Sequence, residues 1–390
     1  MIVEVEISEL QIGQYVVDIV RQKGTYSLTQ SGHVKNEAVI QNLIAKGVES
    51  LLIDTSKTLA MDEEQGTVNT TEEERSPVIL EINKAKKLFH ESKVIQRQVF
   101  EDAQLGRELN LSPVIDITNK TIETIFKNPD ALTCVISIRK KDEYLLEHSV
   151  SVSVLMTIFA KYLKLDRQII QALSVGAFLH DVGKIMVPEE ILNKPSKLTP
   201  QEMTIMQSHV NHSIEIIENT PGISELSLEV AALHHEKLDG SGYPFNLTEE
   251  SISIYGRMVS ICDIFDALTA SRCYKEGYTH IKAFRILRQL ALQKQLDQRL
   301  VDLFIKCMGV YPIGSLVELN THRLAIVESR NKNDPTNPNV RSFFNCEQNR
   351  YIMTEDIDLS KSEDFILKAV KADDYHLDMN KIVEFLLMEG

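Results

Sequence analysis

The chain is poor in the features that would place it outside an ordinary reducing compartment. Its five cysteines, Cys134, Cys262, Cys273, Cys307 and Cys346, are scattered and include no CxxC pair. That spacing fits neither a disulfide framework nor a zinc ribbon. No stretch approaches the roughly 20 apolar residues needed to span a bilayer, and the richest, Val152 to Ala160, is closed by Lys161. The start, MIVEVEISEL, has neither the basic residues nor the apolar block of a signal peptide. A cytoplasmic protein without membrane association is the expectation. Basic residues are also in deficit: 42 Lys+Arg face 56 Asp+Glu, a formal net charge of −14. A surface of that sign disfavours DNA, RNA and anionic membranes, because all three need a basic patch. A phosphate-bearing ligand would have to be met by locally concentrated positive charge or by metal.

The 390 residues suggest two to four domains. Residues 1–60 read as a small α+β domain: IVEVEI alternates with period two, QIGQYVVDIV turns into a second strand, and EAVIQNLIAKGVESLLI is helix then strand. Residues 61–77 are polar and acid-rich without apolar periodicity, which predicts a linker. Charged helical pattern over 78–130 predicts connecting helices, and 131–310 is almost wholly helical. From 311 to 390 strand-like alternation returns in GVYPIGSLVELNTHRLAIVESR, and NKIVEFLLMEG predicts a terminal helix. The fold class is therefore mainly α: a helical bundle with a small α+β N-terminal domain and a short strand-containing C-terminal extension. No internal repeat is present.

Six of the eleven histidines fall between positions 148 and 235. His148 lies on a helix with Val152, Leu155 and Phe159 on its face; alone, such a histidine is more often a satisfied core residue than a ligand. His180 and Asp181 end the helix RQIIQALSVGAFLHDVGK, with Asp166 placed to cap its start and Lys184 three residues beyond the aspartate. His209 and His212 share a helical face, so one can ligate while the other is a neighbour. His234 and His235 end a helix that runs into EKLDGSGYP, where Gly240, Gly242 and Pro244 fix a loop and Tyr243 offers a ring and a hydroxyl. Asp263 and Asp266 share a helical face among apolar neighbours, with Arg272 and Lys275 beyond. Imidazoles and carboxylates from at least four helical segments, too costly to bury without partners, point to a metal site inside the bundle. Such donors suit iron, manganese, zinc or nickel better than magnesium or calcium.

The constellation H…HDVGK…H…HHEKLDGSGYP…DIFDALTASRCYK resembles the HD-GYP family, a branch of the HD-domain metal phosphohydrolases, over about residues 140 to 290. The segment ISELQIGQYVVDI is similar to a short domain often found ahead of HD-GYP, and YPIGSLVEL to a segment found after it. The resemblance implies an HD-type bundle and hydrolysis of cyclic di-GMP to pGpG and on to GMP. It implies His148, His180, Asp181, His209, His234, His235 and Asp263 as metal ligands, with Asp181 as the bridge. Lys184 would act with Asp181 in catalysis. Tyr243, Arg272, Lys275 and Asp266 would face the substrate, beside a loop of Asp239, Gly240, Gly242, Tyr243 and Pro244. His212 has no ligand counterpart.

Family members holding three metals carry a glutamate one helical turn before the first histidine, where this chain has Tyr144; Glu147 projects from the wrong face. A binuclear centre is the expectation, with two divalent ions (Fe or Mn, otherwise Zn, Ni or Co) and a shared hydroxide attacking phosphorus. Other readings are a phosphodiesterase of 3′3′ cyclic GMP-AMP, and a cyclic-dinucleotide-binding module contacting diguanylate cyclases. A (p)ppGpp-type HD hydrolase leaves the GYP loop unexplained. The N-terminal domain has no phospho-acceptor pocket and no haem or flavin motif, which leaves a regulatory or oligomerising role such as homodimer formation.

Overall fold

A computed structural model of the chain describes residues 2–23, 32–34, 37–55, 58, 76–137, 144–270, 277–331, 334, 336–377 and 382. Two compact units result, Met1–Ile79 with Leu316–Gly390, and Leu80–Ser315.

The first unit holds two antiparallel sheets. Strands β1 (Ile2–Glu6), β2 (Tyr15–Gln22), β3 (Gly32–His33) and β4 (Val48–Asp54) form one in the order β1-β4-β2-β3, with helix α1 (Glu37–Ala45) preceding β4. Alternation places Val16, Val48, Leu51 and Ile53 in a small core with Ile40 and Leu43 of α1. The second sheet, in the order β8-β7-β6-β5-β9, comprises β5 (Leu316–Leu319), β6 (Arg323–Ser329), β7 (Asn339–Asn345), β8 (Arg350–Asp358) and β9 (Ile366–Val370). It extends well beyond the strands legible in sequence. Ion pairs stand where apolar alternation was sought: Arg323 bonds Glu355 and Asp364, and Arg341 bonds Asp356. Most of the predicted linker, and all of the predicted terminal helix except Ile382, lie outside the described residues.

The second unit is helical: α2 (Ser76–Gln104, its first residues in the preceding unit), α3 (Leu111–Lys127), α4 (Pro129–Ser137), α5 (Tyr144–Tyr162), α6 (Arg167–Leu179), α7 (Glu189–Leu192), α8 (Pro200–Gln207), α9 (His209–Glu218), α10 (Glu225–Leu233), α11 (Ile254–Thr269), α12 (His280–Leu292) and α13 (Gln298–Met308). Side-chain caps set several starts: Asn110 accepts from Ser112 N, Ser224 from Ser227 N, Ser253 from Gly256 N and Asp297 from Leu300 N. Asp166 occupies the cap position of α6, but its side chain makes no capping bond. Helix α5 is apolar nearly all round, so it lies at the centre, against α6 and α11. Phe159 of α5 meets Phe304 of α13 edge-on at 5.3 Å, and Phe304 meets Phe265 of α11 at 5.2 Å. The stretch Arg167–Met186 is long and apolar enough to cross a bilayer by composition alone, yet most of it is buried within this unit.

Candidate metal centre

Helix ends build the site. His180 is the C-cap of α6, and Asp181 opens the 3₁₀ turn Val182–Met186 that carries Lys184. His209 is the first residue of α9, and His234 is the C-cap of α10, followed by His235. His148 comes from the second turn of α5, and Asp263 with Asp266 from α11. Two close approaches allow this. A Cβ on Gly183 would fall on the His209 carbonyl oxygen and the Ser213 amide nitrogen, so only glycine lets the turn pass α9; its own N–H donates to Ser213 Oγ at 2.8 Å. A Cβ on Gly242 would fall on Lys237 N, so glycine closes the loop after His235.

All seven sequence-predicted ligands converge. His148 Nε2 lies 3.0 Å from Asp263 Oδ1 and 3.4 Å from Asp181 Oδ2, and His180 Nε2 lies 3.3 Å from Asp181 Oδ2. On the other side of the same carboxylate, Asp181 Oδ1 is 3.3 Å from His209 Nε2 and 3.7 Å from His234 Nε2. His235 Nδ1 is 3.5 Å from Asp263 Oδ2. Among the described residues, three donor groups lie within metal-binding reach: His148, His180 and Asp263; His180, Asp181 and His234; His209, His234 and His235.

Three imidazoles are oriented alike. Nδ1 of His180, His209 and His234 each sits 2.7 Å from the backbone oxygen three residues earlier, Ala177, Met206 and Ala231. A carbonyl only accepts, so Nδ1 carries the proton and Nε2 points bare into the centre. His209 Nε2 and His234 Nε2 then face each other at 3.4 Å, while His180 Nε2 and Asp181 Oδ1 are buried without any hydrogen bond. Facing lone pairs and orphaned buried acceptors are unfavourable alone and are satisfied together by cations, so these residues fit a metal centre.

The protonation states agree. Burial, with His235 and His180 nearby, holds His234 well below its ordinary value, and burial pushes His235 down to about 3. Burial raises the Asp181 carboxyl, but His180 and Lys184 outweigh it and hold Asp181 well below the usual carboxylate range; Asp263 is held down by His148 and His235 against the same burial. Burial works against charge on His148 too, yet Asp263 and Asp266 lift it to about 9.

Asp266, expected to face the substrate, is buried with its carboxylate 2.7 Å from His148 Nδ1, where it accepts from the ring N–H and orients the imidazole from behind. Lys184 Nζ bonds Asp181 Oδ2 directly. The Tyr243 ring lies 4.7 Å from that of His235, and burial pushes its hydroxyl upward, so it stays a donor. Arg272 and Lys275 lie outside the described residues. His212 belongs to none of these donor groups, and Glu147 pairs with Lys93. Sequence reasoning gave Glu236 no role. Its buried carboxylate accepts from Phe245 N at 2.7 Å and Leu247 N at 3.0 Å, closing the loop that holds Asp239, Gly240, Gly242, Tyr243 and Pro244. Asp239 shapes the same loop by accepting from Ser241 N at 2.9 Å, and Gly240 sits at φ +78°.

Residues 134–300 match the HD domain, 2–114 match a domain of unknown function, and 316–377 match a KOW domain associated with the HD domain. A cyclic di-GMP phosphodiesterase of Pseudomonas aeruginosa is 30% identical over 374 residues, covering 93% of this chain and 90% of the relative. One from Thermotoga maritima is 32% identical over 240 residues, 60% of this chain and 64% of the relative. A 3′3′-cGAMP-specific phosphodiesterase of Vibrio cholerae is 44% identical over 131 residues, 33% of this chain and 24% of the relative. Among solved structures, an HDG"Y"P protein from Bdellovibrio bacteriovorus superimposes with a TM-score of 0.50 at 19% identity, covering 78% of this chain and 99% of that one; this likeness speaks to the fold.

Proposed function

The chain belongs to the HD-GYP family of cyclic di-GMP phosphodiesterases, and from that premise we infer that its histidine–aspartate centre hydrolyses cyclic di-GMP to pGpG, GMP or both. The observation that carries this is Asp181, whose two oxygens face different histidines: Oδ2 faces His148 and His180, Oδ1 faces His209 and His234. Two ions would be held here by His148, His180 and Asp263 and by His209, His234 and His235, with Asp181 between the two groups. Iron or manganese suits this mixed imidazole and carboxylate set, with zinc, nickel or cobalt next. Divalent ions bound there supply Lewis acidity toward a phosphoryl oxygen and acidify water to a nucleophile near neutral pH.

The chain's own residues do the rest. Asp181 and Asp263, held ionised, keep the centre ready for cations, and the backbone carbonyls behind three histidines keep Nε2 unprotonated. The ammonium of Lys184 stands beside Asp181, placed to donate to phosphoryl oxygen or to the departing 3′-oxygen as the P–O3′ bond breaks. The Tyr243 hydroxyl donates to the same substrate, and Arg272 and Lys275 supply further positive charge for phosphate or guanine. We assign 131–310 as the catalytic domain in the cytoplasm. The N-terminal domain is then regulatory or oligomerising, the C-terminal segment is a structural extension, and any contact with diguanylate cyclases falls to the GYP surface.

Replacing His180 and Asp181 together by alanine tests the assignment: the folded double variant, checked by circular dichroism, loses metal and turnover together. Wild-type hydrolysis by that variant would sink it. One relative is a 3′3′-cGAMP-specific phosphodiesterase, and comparing product formation on cyclic di-GMP and 3′3′-cGAMP separates the two readings.

A further inference from the structure

The site rests on a helix whose first turn is anchored from outside it. His148 is only the fifth residue of α5, and the first four N–H groups of a helix have no acceptor within it. The placement of His148 therefore depends on what holds that first turn. Asp266 fixes the rotation of the ring, but not the position of the backbone that carries it.

Glu147, next to His148, points about 100° away around the helix. Its Oε1 accepts from Lys93 Nζ of α2 at 3.1 Å, with side-chain exposures of 6% and 16%. Lys93 stands in the buried stripe of α2, between Phe89 on one side and Gln96 and Phe100 on the other, all buried. A lysine there is costly to bury unless paired, and losing one partner of such a pair strands the other. A negative charge in the first turn also suits the helix dipole.

We propose that Lys93 is a positioning residue of the metal centre: its buried ion pair with Glu147 pins the first turn of α5 and so sets the distance of His148 from Asp181 and Asp263. This rests on the metal centre proposed above.

The test uses the full chain, stripped of metal and titrated anaerobically with Mn²⁺. K93M weakens Mn²⁺ binding about 10–100-fold, the range typical when a partner behind a ligand is lost. K93R, which keeps the charge, stays close to wild type. At saturating Mn²⁺ the KM for cyclic di-GMP is unchanged in K93M. If K93M does not fold, K93M/E147Q removes both charges and restores stability; it too binds Mn²⁺ more weakly, because the anchor is still absent. Wild-type Mn²⁺ affinity and stoichiometry in either folded variant overturns the proposal. A wild-type chain that takes up no Mn²⁺ sinks the proposed metal centre itself, and this inference with it.

Discussion

Gly183→Ala puts a methyl group where the turn after Asp181 crosses α9. The new Cβ falls on the His209 carbonyl oxygen and Ser213 amide nitrogen, and lies 2.8 Å from His212 Cβ. Two of these partners are backbone, so α9 must move as a body. Receding from 2.2 Å at the His209 oxygen to an ordinary 3.4 Å contact takes about 1.2 Å, roughly six times the 0.2 Å latitude of a metal–ligand distance. Overpacking costs about 1–3 kcal/mol, and the bond from Gly183 N to Ser213 Oγ adds about 1 kcal/mol if broken. The total of about 2–4 kcal/mol lowers Tm by roughly 4–16 °C for a unit of this size. His209 leads α9, so the His209, His234 and His235 group weakens first, and the variant keeps less metal than wild type. Differential scanning calorimetry and metal analysis measure both effects. Gly222→Ala is the control: φ is +82° with nothing within 4 Å, so it strains the backbone by about 1 kcal/mol without touching the site. A Gly183→Ala protein that melts within 2 °C of wild type, by the same scale, and holds as much metal would refute the reasoning.

Asp266→Asn leaves the bundle folded but weakens the hold on the His148 ring, and metal affinity falls about 10–100-fold in an Mn²⁺ titration. Glu236→Gln weakens two charge-assisted bonds to the loop amides, costing about 1.5–3 kcal/mol, so exchange of the Phe245 and Leu247 amides in deuterium quickens roughly 10–100-fold while the bundle core is unchanged. In the C-terminal sheet, burial raises the Glu318 carboxyl, but bonds from Tyr375, Lys368 and His322 bring it below its ordinary value. A carboxyl lowered in the folded state stabilises above its unfolded pKa, and that stabilisation is lost as pH falls through the folded value. Tyr375→Phe removes a 2.6 Å bond and shrinks this loss, so melting curves of variant and wild type differ most at neutral pH and converge in acid.

The clustering of these residues was legible because histidine and aspartate are costly inside a bundle, and HDVGK and HHEKLDGSGYP gather them at helix ends. What ordered them was not legible. The carbonyls of Ala177, Met206 and Ala231 that fix three tautomers belong to residues whose side chains say nothing about it. Asp263 and Asp266 were rightly placed on one face, but no sequence pattern tells which nitrogen of His148 each will meet. The strands after residue 338 escaped notice for a different reason. Arg341 of β7 and Glu355 and Asp356 of β8 break their apolar alternation, and such charges read as loop until their ion pairs, Arg341 with Asp356 and Glu355 with Arg323 of β6, are seen together. Asp166 shows the converse, a capping residue in the right place whose side chain does not cap.

The central claim is that this buried centre is a metal-dependent cyclic-dinucleotide phosphodiesterase. The direct measurement quantifies metal per chain after anaerobic purification and identifies nucleotide products from cyclic di-GMP before chelation, after it, and after metal is restored. Two divalent ions per chain, with pGpG or GMP formed only when they are present, is the predicted result. A chain that carries both ions and binds cyclic di-GMP tightly yet returns it intact would contradict the claim.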